Sequence, residues 1–221
     1  MIAIIDYGVG NLFSLQSSLK FIGADAEVTN DIAKIKAADR IILPGVGAFA
    51  DAIRKLRESG MEQVVLEEAA NGKPLLGICL GMQMLLEKSY EYGEHAGLGL
   101  IGGSVKPIAP MIGEGLKVPH IGWNRLIFPK EKEKSKLFQY INEGDCVYFV
   151  HSYAGVDCDA FVSARTEYGA ELTAAVERGN VYGTQFHPEK KRRGRLADSK
   201  GIFANCKKGG KILWNYFLRL I

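Results

Sequence analysis

Leu75-Leu76-Gly77-Ile78-Cys79-Leu80-Gly81 decides how this chain is read. Residues 75–78 form an apolar run of strand length, and a helical pattern starts directly after it. Between the two stands a thiol, with a glycine two positions away on each side. A strand that turns straight into a helix leaves little space at the turn, so its neighbours must lack side chains. The residue at the apex then projects from the carboxyl end of the sheet. The N–H groups that follow open a helix, where they have no acceptor within the helix and favour negative charge. Gly77-Ile78-Cys79-Leu80-Gly81 therefore reads as a nucleophile elbow carrying Cys in place of Ser. Taken alone, the segment also fits a buried Cys in a tight turn.

Strands and helices alternate on either side of this segment. Ile2–Ile5 is an apolar strand ending in Asp6-Tyr7-Gly8-Val9-Gly10-Asn11. Leu12, Leu15, Leu19 and Ile22 then recur at helical spacing, and Gly23 is placed to end that helix. Residues 26–28 and 40–43 read as further strands, the second stopped by Pro44-Gly45-Val46-Gly47. Helical patterns cover 49–59 and 61–70. From about Lys117 short strands dominate, at 147–150, 161–166, 173–177 and 181–186. Leu213, Phe217 and Leu220 suggest a terminal helix. This order predicts an α/β domain over residues 1–221, with a mostly parallel central sheet, helices on both faces, and antiparallel strands added in the C-terminal half.

Composition narrows the classes. The chain has 221 residues, 28 Lys+Arg against 25 Asp+Glu, a net charge of +3 and 47% hydrophobic residues. Those fractions exclude a disordered, collagenous or coiled-coil chain. No apolar run approaches the ~20 residues that span a bilayer, so no membrane partner is expected. No secretory signal is visible, which makes the cytoplasm the expected location. Cys79, Cys146, Cys158 and Cys206 form no CxxC pair and no zinc spacing, so no metal is expected. Gly8-Val9-Gly10 opens like a dinucleotide fingerprint, but Phe13 stands where the third glycine belongs. No cofactor is expected.

The partner for Cys79 lies in Gln185-Phe186-His187-Pro188-Glu189. Pro188 pushes His187 toward an extended backbone, in which residues i and i+2 share a face. His187 and Glu189 then point the same way, and a carboxylate beside imidazole orients the ring and stabilises its charged form. Cys as nucleophile, His as acid and base, and Glu as orienter make a triad for acyl transfer. His95, His120 and His151 have no such companion in sequence. Leu43-Pro44-Gly45-Val46-Gly47 ends a strand predicted at the same sheet edge as Cys79. Its glycines suit a second oxyanion-hole donor, or simply an ordinary Pro-Gly turn.

These residues together resemble the triad-type class I glutamine amidotransferases. Gly77-Ile78-Cys79-Leu80-Gly81-Met82-Gln83 and His187-Pro188-Glu189 carry that likeness. Residues 6–12, 43–49 and Pro119-His120-Ile121-Gly122-Trp123-Asn124 narrow it to chains similar to the glutaminase subunits of imidazole glycerol phosphate synthase. The resemblance implies a three-layer, flavodoxin-like fold and hydrolysis of glutamine through a Cys79 thioester. It implies a heterodimer with a (β/α)8-barrel cyclase subunit that uses the ammonia to make imidazole glycerol phosphate and aminoimidazole carboxamide ribotide in histidine biosynthesis. By resemblance, Leu80 with Val46 or Gly47 forms the oxyanion hole. Gly45, Gln83, Glu91, Ser152 and Tyr153 bind glutamine, and Asn11, Pro119, His120 and Trp123 meet the cyclase. Trp123 as a core aromatic is the plainer alternative. The same glutaminase chemistry serving surface-sugar amidation, and a non-catalytic scaffold subunit, are the competing functions.

One segment departs from the family pattern. Lys190-Lys191-Arg192-Arg193-Gly194-Arg195 begins an apparent basic insertion running to about 208. Residues 190–211 hold nine Lys/Arg against one Asp, which leaves 19 Lys/Arg against 24 Asp/Glu elsewhere. A solvated loop and an anion-binding patch both fit. The run lacks the interleaved aromatics and the motif of a nucleic-acid site, so no nucleic-acid partner is expected.

Overall fold

The computed structural model describes residues 1–190. In chain order the elements are β1 (Ile2–Ile5), α1 (Leu12–Phe21), β2 (Ala26–Thr29), α2 (Ile32–Ala37), β3 (Arg40–Gly45), α3 (Phe49–Glu58), α4 (Met61–Ala70), β4 (Leu75–Cys79), α5 (Leu80–Leu85), β5 (Leu86–Ser89), β6 (His95–Ala96), β7 (Ile101–Pro107), β8 (His120–Arg125), β9 (Cys146–His151), β10 (Tyr153–Val156), β11 (Val162–Glu167), β12 (Glu171–Arg178) and β13 (Val181–Thr184). Seven strands form the central sheet in the order β11-β12-β13-β4-β3-β1-β2. The five from β13 to β2 pair in parallel, and β11, β12 and β13 pair antiparallel. This is the mostly parallel sheet with late antiparallel strands that the alternation predicts.

Strand periodicity puts a core on each face. All four residues of β1 are buried. Ile2 and Ile4 pack with Leu15 and Leu19 of α1 and with Phe149 of β9. Ala3 and Ile5 pack on the other side with Phe49, Ile53 and Leu56 of α3 and Val65 of α4. Successive side chains of a strand point to opposite faces, so a run apolar at every position is a strand covered twice. At the start of α1, the Asn11 side chain accepts the Ser14 N–H. Gly23 follows its end at φ 79°, in the left-handed region open to glycine.

Some elements were not foreseen. The six-residue helix α2 is nucleated by Asp31, whose carboxylate accepts the Ala33 N–H at 2.9 Å. Strands β5, β6, β7 and β10 form a second sheet, and β8 pairs with β9 alone. The strand expected at 181–186 ends at Thr184. There the chain leaves the central ladder, and the His187 N–H donates to the Tyr148 carbonyl at 3.0 Å. Apart from Lys190, the basic insertion expected at about 190–208 lies outside the described residues, as does the terminal helix expected around Leu213. Among the described residues no helix is long and apolar enough to cross a membrane.

Burial separates residues of one helix into two energetic classes. Leu19 is fully buried between α1 and the sheet, whereas Phe13 is 81% exposed. Leu19→Ala should lower the unfolding free energy by about 3 kcal/mol, and Phe13→Ala should stay within about 0.5 kcal/mol. Urea denaturation of both variants checks the contrast.

Candidate active site

Cys79 ends β4 and directly precedes α5, at φ 56° and ψ −113°. A non-glycine residue in that region costs on the order of 1–3 kcal/mol and persists only where its surroundings over-determine it. Here they do. β4 is paired on both sides, by β3 with Gly45 opposite Cys79, and by β13 with Thr184 opposite Ile78. Backbone packs on backbone around the turn. A Cβ on Gly77 would lie 2.7 Å from the Gly81 carbonyl, one on Gly45 would lie 2.6 Å from the Gly81 nitrogen, and one on Gly81 would run into the Leu43 carbonyl. The glycines flanking Cys79 are therefore required by close approach. Gly45, expected at the glutamine pocket, is held to glycine by the same contact.

Beside the thiol sits an amide brace. Gln185 Nε2 lies 3.7 Å from Cys79 Sγ, and Gln185 Oε1 accepts from Gln83 Nε2 at 2.9 Å. Gln83 Nε2 also donates to the Tyr153 carbonyl at 3.1 Å. Gln83, expected to contact glutamine, thus turns its amide donors onto the protein. Gln185 is 106 residues from Cys79 in sequence, and its only signal was its place two residues before His187.

His187 and Glu189 meet as the sequence pattern requires. His187 Nδ1–H donates to Glu189 Oε1 at 2.8 Å, with both side chains nearly enclosed. Burial alone lowers the His187 pKa. The hydrogen bonds with Cys79 and with Glu189, and then their charges, overcome it and push the ring up to about 10. Glu189 occupies Nδ1, so Nε2 is the nitrogen available to the thiol.

Cys79 and His187 open into a pocket of about 320 Å³. Val46, Gly47, Leu80, Gln83, Glu91, Pro119, His151, Ser152 and Tyr153 are among the residues that line it. Gly47 has φ 89° with nothing within 4 Å of a would-be Cβ, so its backbone conformation and not crowding favours glycine. Glu91 Oε2 accepts the Phe49 N–H at the start of α3, a helix whose own N-cap, Ala48, offers no side-chain acceptor. Its carboxylate is thereby fixed at the pocket wall.

The residues expected at a partner surface separate. Pro119 is exposed and lines both this pocket and a neighbouring groove of about 680 Å³. Trp123 lines that groove, its ring tilted against Tyr148 at 5.6 Å. Asn11 is exposed at the start of α1. His120 is fully buried behind the surface. Tyr7, unassigned in the sequence, donates its hydroxyl to the Pro44 carbonyl at 2.7 Å, and burial followed by the nearby Cys79 charge raises its pKa. His151, which has no companion in sequence, forms part of the pocket wall. Among the described residues no His/Cys/Asp/Glu cluster is built to hold a metal.

Comparison with known proteins agrees with this geometry. Residues 3–205 match the family model described as glutamine amidotransferase class-I. The protein named imidazole glycerol phosphate synthase subunit HisH in Wolinella succinogenes is 48% identical, over 86% of this chain and 92% of its own length. Its namesake in Aquifex aeolicus is 45% identical, over 96% of this chain and 94% of its own. A solved structure of PurLQS from Thermotoga maritima covers 99% of this chain and 97% of its own, at TM-score 0.66 and 21% identity, a likeness of fold alone. The chain belongs to the class I glutamine amidotransferases, among the relatives that carry the name imidazole glycerol phosphate synthase subunit HisH.

Proposed function

We propose that this chain hydrolyses glutamine to glutamate and ammonia at Cys79. It then passes the ammonia to a (β/α)8-barrel cyclase subunit, within a heterodimeric imidazole glycerol phosphate synthase of histidine biosynthesis in the cytoplasm. One observation carries the reading: a thiol on a strained elbow shares a pocket with an imidazole that a buried carboxylate holds at 2.8 Å. The names of the most similar relatives support the pathway.

The chemistry follows from the placement. Cys79 Sγ attacks the side-chain amide carbon of glutamine as a thiolate, its proton residing on His187. Negative charge builds on the former carbonyl oxygen. The Leu80 N–H, at the opening of α5, and an N–H from Val46 or Gly47 receive it. The C–N bond breaks as His187 returns the proton to the departing nitrogen, and ammonia leaves a glutamyl thioester on Cys79. Water then attacks that thioester with His187 as base, and glutamate departs with the thiol restored. Glu91 presents a carboxylate to the substrate's ammonium group, and Ser152 and Tyr153 in the same lining hold the rest of the glutamine. Ammonia released into water at neutral pH is mostly ammonium, which is not a nucleophile. Direct transfer to the partner keeps it reactive.

Cys79→Ala should abolish glutamate formation, by at least about 10³-fold. Turnover should be low for the chain alone and rise strongly when the cyclase subunit and its ribotide ligand are added. Full turnover in the Ala variant would sink the mechanism.

A pH profile tests the imidazole. With His187 held up at about 10, kcat/KM should stay level through neutrality and fall as the pH approaches 10. Glu189→Gln removes one of the causes that raise this pKa. It should move the alkaline limb to lower pH and reduce kcat by about 10²-fold. An unmoved limb would mean that Glu189 does not tune the ring.

A further inference from the structure

In and behind the pocket wall, the buried histidines His151 and His120 form a chain that the mechanism above does not use. His151 Nδ1 lies 2.8 Å from the Tyr153 carbonyl, and His151 Nε2 lies 3.1 Å from His120 Nδ1. His120 Nε2 lies 2.8 Å from Asn124 Oδ1, and Asn124 Nδ2 donates to the Glu167 carbonyl at 3.0 Å. The His120 ring is stacked on Phe149 at 5.0 Å and on Tyr168 at 4.0 Å. Its in-plane nitrogens are thus aimed by packing as well as by hydrogen bonds.

Counting protons along this chain is informative. A backbone carbonyl only accepts, so His151 Nδ1 must carry hydrogen. Neutral His151 then offers a lone pair at Nε2, and His120 Nδ1 must donate to it. Asn124 Oδ1 also only accepts, so the third link needs hydrogen on His120 Nε2. Three links need three ring protons, and two neutral imidazoles carry two. Burial favours the neutral forms of both rings. Turning the Asn124 amide over would satisfy His120, but would set Oδ1 against the Glu167 carbonyl. The Asn124 end is therefore the link left short, and it lies in the groove shared with Pro119 and Trp123.

The other end reaches the nucleophile. The Tyr153 carbonyl that accepts from His151 also accepts from Gln83 Nε2, which holds Gln185 against Cys79 Sγ. A hydrogen-bonded path thus runs from His120 on β8 to the sulfur, with Asn124 beyond it at the groove end. We propose that His120 is a positioning residue for Cys79, acting through His151 and the Gln83–Gln185 brace, with Asn124 as its adjustable end. A partner seated in the groove reaches the nucleophile by setting the Asn124 amide. This rests on glutamine hydrolysis at Cys79.

The test compares two substitutions in the full-length chain bound to its cyclase subunit. His120→Phe keeps a ring between Phe149 and Tyr168 and removes both hydrogen bonds. His120→Asn places an amide donor where Nδ1 stood, restoring the link to His151. The Phe variant should lose at least tenfold in kcat with KM within threefold, and the Asn variant should recover to within threefold of the wild type. A ¹⁵N–¹⁵N coupling across the His120–His151 hydrogen bond should be present in the ¹⁵N-histidine-labelled wild-type chain and absent in the Phe variant. Wild-type kcat in the Phe variant, no recovery in the Asn variant, or no coupling in the wild type would each overturn the relay while leaving glutamine hydrolysis standing. An inactive wild type would overturn both.

Discussion

The site depends on one steric fact: at the carboxyl edge of β3 and β4, backbone touches backbone. Gly45, Gly77 and Gly81 leave no room for a Cβ between β3, β4 and the first turn of α5. That contact lets α5 start one residue after the strand ends, and it holds Cys79 at φ 56°. A looser turn would let the residue relax into an ordinary region and swing the sulfur away from His187. The strain at Cys79 is carried by seven paired strands, so the nucleophile is aimed before any substrate arrives.

Parallel pairing sets the other distances. Register places Gly45 and Ile78–Cys79 level with the end of β13, so the chain leaving Thr184 delivers Gln185 and His187 to the edge where Cys79 stands. The same geometry puts the loop after β3 over the elbow. In a doubly wound sheet, residues far apart in sequence converge at the carboxyl ends of neighbouring strands. Here 106 residues separate Cys79 from the amide that touches it.

How much could be read without coordinates follows from which interactions are local. Leu12, Leu15, Leu19 and Ile22 announce α1 because a helix writes its buried face at short spacing. The all-apolar β1 and the Gly-x-Cys-x-Gly turn were legible for the same reason, as was the His187–Glu189 pairing across Pro188. The helix α2 was not, since six residues with Lys34 and Lys36 show no periodicity and owe their start to Asp31. Strands β5 to β7 were missed because β7 carries adjacent glycines, and its pairing with β5 and β10 is set by tertiary contact. The Gln83–Gln185 brace and the His120–His151 contact have no sequence signal. Each joins residues whose neighbours in the chain say nothing about the partner.

This division between local and distant contacts bears on control. The nucleophile and its imidazole sit on or beside strand ends locked by pairing, which suits groups that must hold sub-ångström positions. Other parts of the pocket come from connections: Val46 and Gly47 after β3, Pro119 before β8, and Ser152 between β9 and β10. Exposed Val46, Val118 and Ile121 lie on or next to these connections and leave 40%, 41% and 54% of their surface open. Burial energy therefore fixes the elbow firmly and the loops weakly. A partner that covers those apolar side chains supplies the missing burial where the substrate and the oxyanion are held. Its leverage falls on transition-state stabilisation and on the side chains that brace the sulfur, while the elbow backbone stays held by its glycine contacts.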